Sequence, residues 1–139
     1  MGFADSIKNF NKKVKVEVSE QIIAIATDLF TEIVNETPVD EGVLINNWYA
    51  GTGVGNYNSS YNEFSTSQDG MYSRMQIASL KRYTGFVGRD GAVSLSNSTP
   101  YAYRAEYIGW PQPQWSGRVG KYAMVAQAFI KVITKYQGL

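Results

Sequence analysis

The sequence has no cysteine and no histidine. Without thiols there are no disulfides and no thiolate nucleophiles. Without imidazole there is no histidine general base, and losing both removes nearly every structural zinc site. Any acid–base chemistry is left to carboxylates, and no cofactor is expected. Charge of one sign is also missing: 13 basic against 12 acidic side chains give a net charge of +1 over 139 residues. That is far from the field of a non-specific nucleic-acid or anionic-membrane binder, so neither DNA binding nor a membrane partner is expected. Long apolar runs are absent. The longest, Ile22 to Ala26, is too short for a signal core or a membrane span, and the chain is expected to be soluble and made in a reducing compartment. MGFADS fits an N-myristoylation pattern through Gly2 and Ser6, and NET, NSS and NST fit glycosylation sequons. Patterns this short recur by chance and carry no weight here.

What is present reads as one domain, 1–139, long enough to bury a core and still leave apolar surface for partners. From Phe3 to Val34 apolar residues fall at Phe3, Ile7, Phe10, Val14, Val18, Ile22, Ile25, Leu29 and Ile33, in steps of three and four with no Gly or Pro between. The spacing predicts a long amphipathic helix, with a candidate interruption near Lys15, where VKVEV alternates with a period of two. Pro38 ends it, because proline forces Thr37 out of the helical region and cannot continue the ladder. A short helix is expected from an N-cap at Asp40 through Glu41, Val43, Leu44 and Asn47, leading into an extended WYAGTGVG. No helix pattern follows Gly51, Gly53 and Gly55, so they do not read as a phosphate cradle.

Residues 56–70, NYNSSYNEFSTSQDG, are polar and aperiodic and read as a flexible loop that becomes ordered against a neighbour through Tyr57, Tyr61 and Phe64. A helix is predicted over Met71 to Arg82. Beyond it TGFVG and AVSLSN flank Arg89-Asp90-Gly91 as a hairpin. In STPYAYRAEYIGW, residues 98–110, Thr99 suits an N-cap, Pro100 the first helical position and Gly109 the left-handed residue past the end. That argues for a two-turn helix. GWPQPQWSG then holds Trp110 and Trp115 on an extended segment. A last helix is predicted from Arg118 to Tyr136, with Val119, Tyr122, Ala126, Phe129, Ile130 and Ile133 on its apolar side. The class that follows is α+β: a long N-terminal helix and further helices packed on a small antiparallel sheet.

TPVDEGVLINNW (37–48), then an apolar helix, then VSLSNSTPYAYRAEYIGW (93–110), then SGRVGKYAMVAQAF (116–129) resembles the neck and tail-completion proteins of tailed bacteriophages, in the head-to-tail connector group. The matching positions are Thr37, Pro38, Val39, Asp40, Gly42, Leu44 and Trp48, and Asn97, Pro100, Tyr101, Ala102, Glu106 and Gly109. Glu41 stands where Thr is usual and Asn47 where Ser is usual, and Ile108 intervenes before Gly109. The resemblance implies a virion structural protein, assembled in the bacterial cytoplasm and placed at the neck. It implies a homo-oligomeric ring, usually hexameric, with other neck, connector and tail proteins as partners. Such a ring leaves a channel through which DNA passes without sequence-specific binding, and no enzymatic activity is expected.

On composition and position, subunit contacts are expected from Trp48, Tyr61, Phe64, Tyr103, Arg104, Glu106, Trp110, Trp115 and Arg118. Arg104 and Glu106 read as a surface or interface ion pair. Along the first helix Lys8, Lys12, Lys13 and Lys15 precede Glu17, Glu20, Asp28, Glu32 and Glu36, against the helix dipole. Head-to-tail neighbours setting basic on acidic halves would account for that order. Two other classes compete. A small cell-wall hydrolase would use Asp40, Glu41 or Glu106 as its carboxylates. A glycan-binding module would use some of the 10 tyrosines as stacking platforms.

Overall fold

The computed structural model describes residues 2–39, 42–52, 67–83, 92–110 and 120–137, and the backbone alone for 14–16. Its elements in chain order are α1 (Phe3–Glu36), β1 (Trp48–Thr52), α2 (Met71–Ala78), β2 (Val93–Asn97), α3 (Ala102–Tyr107) and α4 (Met124–Tyr136). A 3₁₀ turn, Ser79–Tyr83, tightens the end of α2. The class is α+β. β1 and β2 pair antiparallel, from Trp48 opposite Asn97 to Thr52 opposite Val93.

α1 runs through VKVEV without a break. Its neighbours along the helix supply the ladder that the local β-preference alone would not. It stops where Thr37 turns extended (φ −75°, ψ 127°) ahead of Pro38. The core forms on its C-terminal half, where Ile23, Ala26, Phe30, Ile33 and Val34 are buried with Leu44, Ile45, Trp48, Ile77, Leu80, Ala105, Tyr122, Met124 and Ala128. α4 packs along this half of α1. Lys131 pairs with Glu32 and Glu36, and Lys135 with Asp28, so the two helices run antiparallel.

Three sequence expectations change. The apolar positions of α1 do not form one buried stripe. At about 100° per residue Ile25 lies nearly opposite Ile23: Ile23 is buried, while Phe3, Ile7, Phe10, Val18 and Ile25 are exposed. The described residues after Gly42 form hydrogen-bonded turns rather than a helix, for reasons given below. α4 begins at Met124, not Arg118. Tyr122 sits before it on a segment whose amides reach back to the Ala105 carbonyl (2.8 Å from Tyr122 N). Met124 and Ala128 face the core, and the expected apolar side, Phe129, Ile130 and Ile133, is exposed. The first strand of the expected hairpin and most of the expected loop lie outside the described residues.

Candidate functional site

The first motif segment is knitted into the core by side chains. Thr37 Oγ1 donates to the Ile33 carbonyl (2.7 Å) and accepts from Trp48 Nε1 (3.0 Å). Ser73 Oγ donates to the Ile45 carbonyl (2.6 Å) and accepts from Trp48 N (2.9 Å). Asn46 Nδ2 donates to the carbonyls of Gly42 (2.8 Å) and Ser67 (2.6 Å), and its Oδ1 accepts from Tyr72 N. Asn47 Nδ2 donates to the Val43 carbonyl (2.6 Å). Buried backbone groups need partners. Here amide and hydroxyl side chains add to the turn's own backbone bonds, Asn46 N to the Gly42 carbonyl and Asn47 N to the Leu44 carbonyl, so this stretch holds without a continuous helical ladder.

The second segment is tied to the first and to α4. Asn97 Nδ2 donates to the Leu44 carbonyl (3.0 Å), and its Oδ1 accepts from Thr99 N and Thr99 Oγ1. The Thr99 hydroxyl turns back to Asn97, and α3 starts at Ala102 with Tyr101 as its N-cap residue and no side-chain cap, a correction to the expected Thr99 cap. Gly109 is left-handed (φ 74°) as expected, but a second constraint acts on it. A Cβ there would lie 1.9 Å from the Gly120 carbonyl carbon, where Trp110 and Gly120 form an antiparallel bridge.

Glu106 is buried, 9 % exposed, and is not half of an ion pair with Arg104. Its Oε2 accepts from Val125 N (2.9 Å) and its Oε1 from Ala126 N (3.3 Å). These are the second and third residues of α4, whose own N-cap is Ala123, a residue with no side-chain oxygen and with φ 47°. A carboxylate from α3 therefore does the work of an N-cap and meets the positive end of the helix dipole. Arg104 instead donates from Nε to the Gly109 carbonyl (3.0 Å), and its guanidinium lies over the Trp110 ring, 5.4 Å from the centroid.

The residues expected at subunit contacts thus separate. Trp48, 6 % exposed, belongs to the chain's own core. That and the Glu106 cap are corrections, because neither side chain is presented to a neighbour. Trp110 is half-buried and meets Tyr122 edge-on. Tyr103 is exposed, stacked against Tyr107 at 4.8 Å between centroids. Tyr61, Phe64, Trp115 and Arg118 lie outside the described residues, as do Asp40 and Glu41. The sequence reading missed Ser73 and Asn46, which lie beside other polar residues, Arg74 and Asn47, and carry no distinguishing signal.

Exposed apolar side chains gather on four helices: Phe3, Ile7, Phe10, Val18 and Ile25 on α1, Met71, Tyr72 and Met75 on α2, Tyr103, Tyr107 and Ile108 at α3, and Phe129, Ile130 and Ile133 on α4. The charge order of α1 finds part of its explanation within the chain. Lys135 and the Tyr136 hydroxyl hold the Asp28 carboxyl below its ordinary range, and the Asp28 carboxylate raises both partners in turn. Glu36 likewise raises Lys131. Asp28, Glu32 and Glu36 are therefore engaged by α4 rather than by a neighbour's lysines, which corrects the expected pairing for that half. Lys8, Lys12, Lys13, Glu17 and Glu20 remain exposed.

Among the described residues no group of three or more potential ligands is placed to hold a metal ion, and no helix is long and apolar enough to cross a membrane. Comparison with family models, with curated proteins and with solved structures gives no match.

Proposed function

We propose that this protein is a structural subunit of a tailed-bacteriophage neck or tail end, whose copies close into a ring, hexameric in the assembled particle, around a channel for DNA. One observation carries the reading. Thr37, Asn46, Asn47, Asn97, Thr99 and Glu106 of the two motif segments are committed to the fold, while large apolar side chains stand exposed on α2, α3 and α4. Exposed apolar surface on this scale is a mark of interaction with other chains. The described carboxylate nearest to a catalytic candidate, Glu106, has both oxygens engaged by backbone amides, so a structural role accounts for it fully. A ring also protects the outer edges of a small sheet, which neighbouring subunits would cover.

Light scattering and electron microscopy of the purified protein, alone and mixed with tail and neck particles, test this. A closed ring seated on a particle is the expected result. A chain that joined no particle and formed no ring would overturn it and return attention to the hydrolase and glycan-binding alternatives.

A further inference from the structure

α4 covers one side of the C-terminal half of α1 and ends at Tyr136, opposite Asp28. Beyond that point, toward its N-terminus, α1 continues with Ile25 (42 % exposed), Val18 (48 %), Phe10 (66 %), Ile7 (45 %) and Phe3 (82 %) on one side. At 1.5 Å per residue this stripe is about 33 Å long. An isolated helix with such a stripe is marginal in water, and its usual stabiliser is a packed neighbour.

The charges on the same stretch say what that neighbour is. Between Phe3 and Ile25 there are four lysines, Lys8, Lys12, Lys13 and Lys15, and three carboxylates, Asp5, Glu17 and Glu20. This near-balance does not favour an anionic surface. The outer face of α4 is a poor seat as well, since the only charged side chains of α4 are Lys131 and Lys135. A second α1 laid antiparallel is complementary. Lys13 and Glu17 stand one turn apart on the same edge of the stripe, and a two-fold axis between them sets each lysine beside the partner's glutamate. With that axis near residue 14 or 15, Phe10 comes level with Val18, Ile7 with Ile22 and Phe3 with Ile25, each within one turn.

We infer that the N-terminal half of α1 is an isologous docking surface, on which two copies of this chain pair their exposed apolar stripes antiparallel. The contact is independent of the ring reading, because a two-fold pairing closes on itself and a ring requires a different, head-to-tail surface.

Sedimentation equilibrium of the full chain tests the inference, with circular dichroism to confirm that each variant keeps its helix content. Wild type shows a monomer–dimer equilibrium, and Phe10→Glu with Val18→Glu abolishes it. Lys13→Glu alone and Glu17→Lys alone each weaken dimerisation about tenfold at low salt. An equimolar mixture of those two variants recovers wild-type affinity, because only contacts between chains then carry opposite charges. The absence of cysteine allows a single spin label at Ala4→Cys, for which antiparallel pairing predicts a separation of about 30 Å and parallel pairing about 10 Å. A monomeric wild type, a mixture no tighter than its components, or the short label distance would overturn the inference. So would binding to phosphatidylglycerol vesicles by a chain that stays monomeric, which would assign the stripe to a membrane surface. None of these outcomes bears on whether copies close into a ring on a particle.

Discussion

From Ser19 to Val34, one side of α1 lies against α4, α2 and the turn before β1, whereas from Phe3 to Val18 every described side chain is exposed. Both halves carry apolar residues at intervals of three and four, so the difference is not one of pattern. Ile23, Ala26, Phe30 and Val34 are buried because other segments of the chain reach them. Phe3, Ile7 and Phe10 have the same chemistry and no such segment in the described fold. Helical periodicity therefore identifies an apolar side, while the identity of whatever covers it depends on tertiary structure and on other chains.

The comparison is broken most severely from the packed half. Trp48→Ala removes the indole at the centre of the core and the hydrogen bond to Thr37. It is expected to cost about 3–5 kcal/mol, read as a large fall in the urea midpoint. Gly109→Ala forces a Cβ into the Gly120 backbone at a left-handed position. A loss of about 2–4 kcal/mol is expected from the combined strain and overlap. Glu106→Ala strips α4 of its cap and leaves the Val125 and Ala126 amides without that carboxylate. The same denaturation series should show about 1–3 kcal/mol lost.

Acidification acts more gently on the α1–α4 seam. Asp28 titrates lower in the folded chain than its usual value of 3.8 because Lys135 and Tyr136 hold its anion. Its contribution is thus present above that value and is lost as the pH falls through the folded one. With the Asp28 side chain 35 % exposed, solvent screening limits the effect to about 0.5 kcal/mol. Asp28→Asn should remove this part of the acid dependence. The smallest effect belongs to the exposed half: Phe10→Ala is expected to change the stability of the dilute chain by less than about 0.5 kcal/mol, even though it removes a large aromatic side chain. A large loss at high dilution would mean that Phe10 packs within the chain, and the contrast between the halves would fail.

Much of the frame was legible from residues alone. The end of α1 at Pro38, α2, the extended start at Trp48 and the left-handed Gly109 all follow from local rules of dihedral preference and spacing. The turn after Gly42 is not legible because Asn46, Asn47 and Ser73 supply part of its hydrogen bonds from side chains, which no periodicity records. α4 was extended too far because Tyr122 falls at helical spacing, yet its amide is drawn to Ala105. Glu106 reads as a surface charge from sequence because the amides it caps lie 19 and 20 residues away. Trp48 reads equally as a core or an interface residue from sequence, because large aromatics suit both; only the placement of Thr37 and Ser73 around it decides.

The most direct test of the account is amide hydrogen exchange along α1, measured on the same protein at high dilution and at high concentration. Protection of residues 23–36 should be strong and unchanged, since the chain's own core supplies it. Protection of residues 3–22 should be weak when dilute and rise with concentration as a second chain covers the exposed stripe. Equal, concentration-independent protection of both halves would contradict the account, because the N-terminal half would then be stabilised from within its own chain.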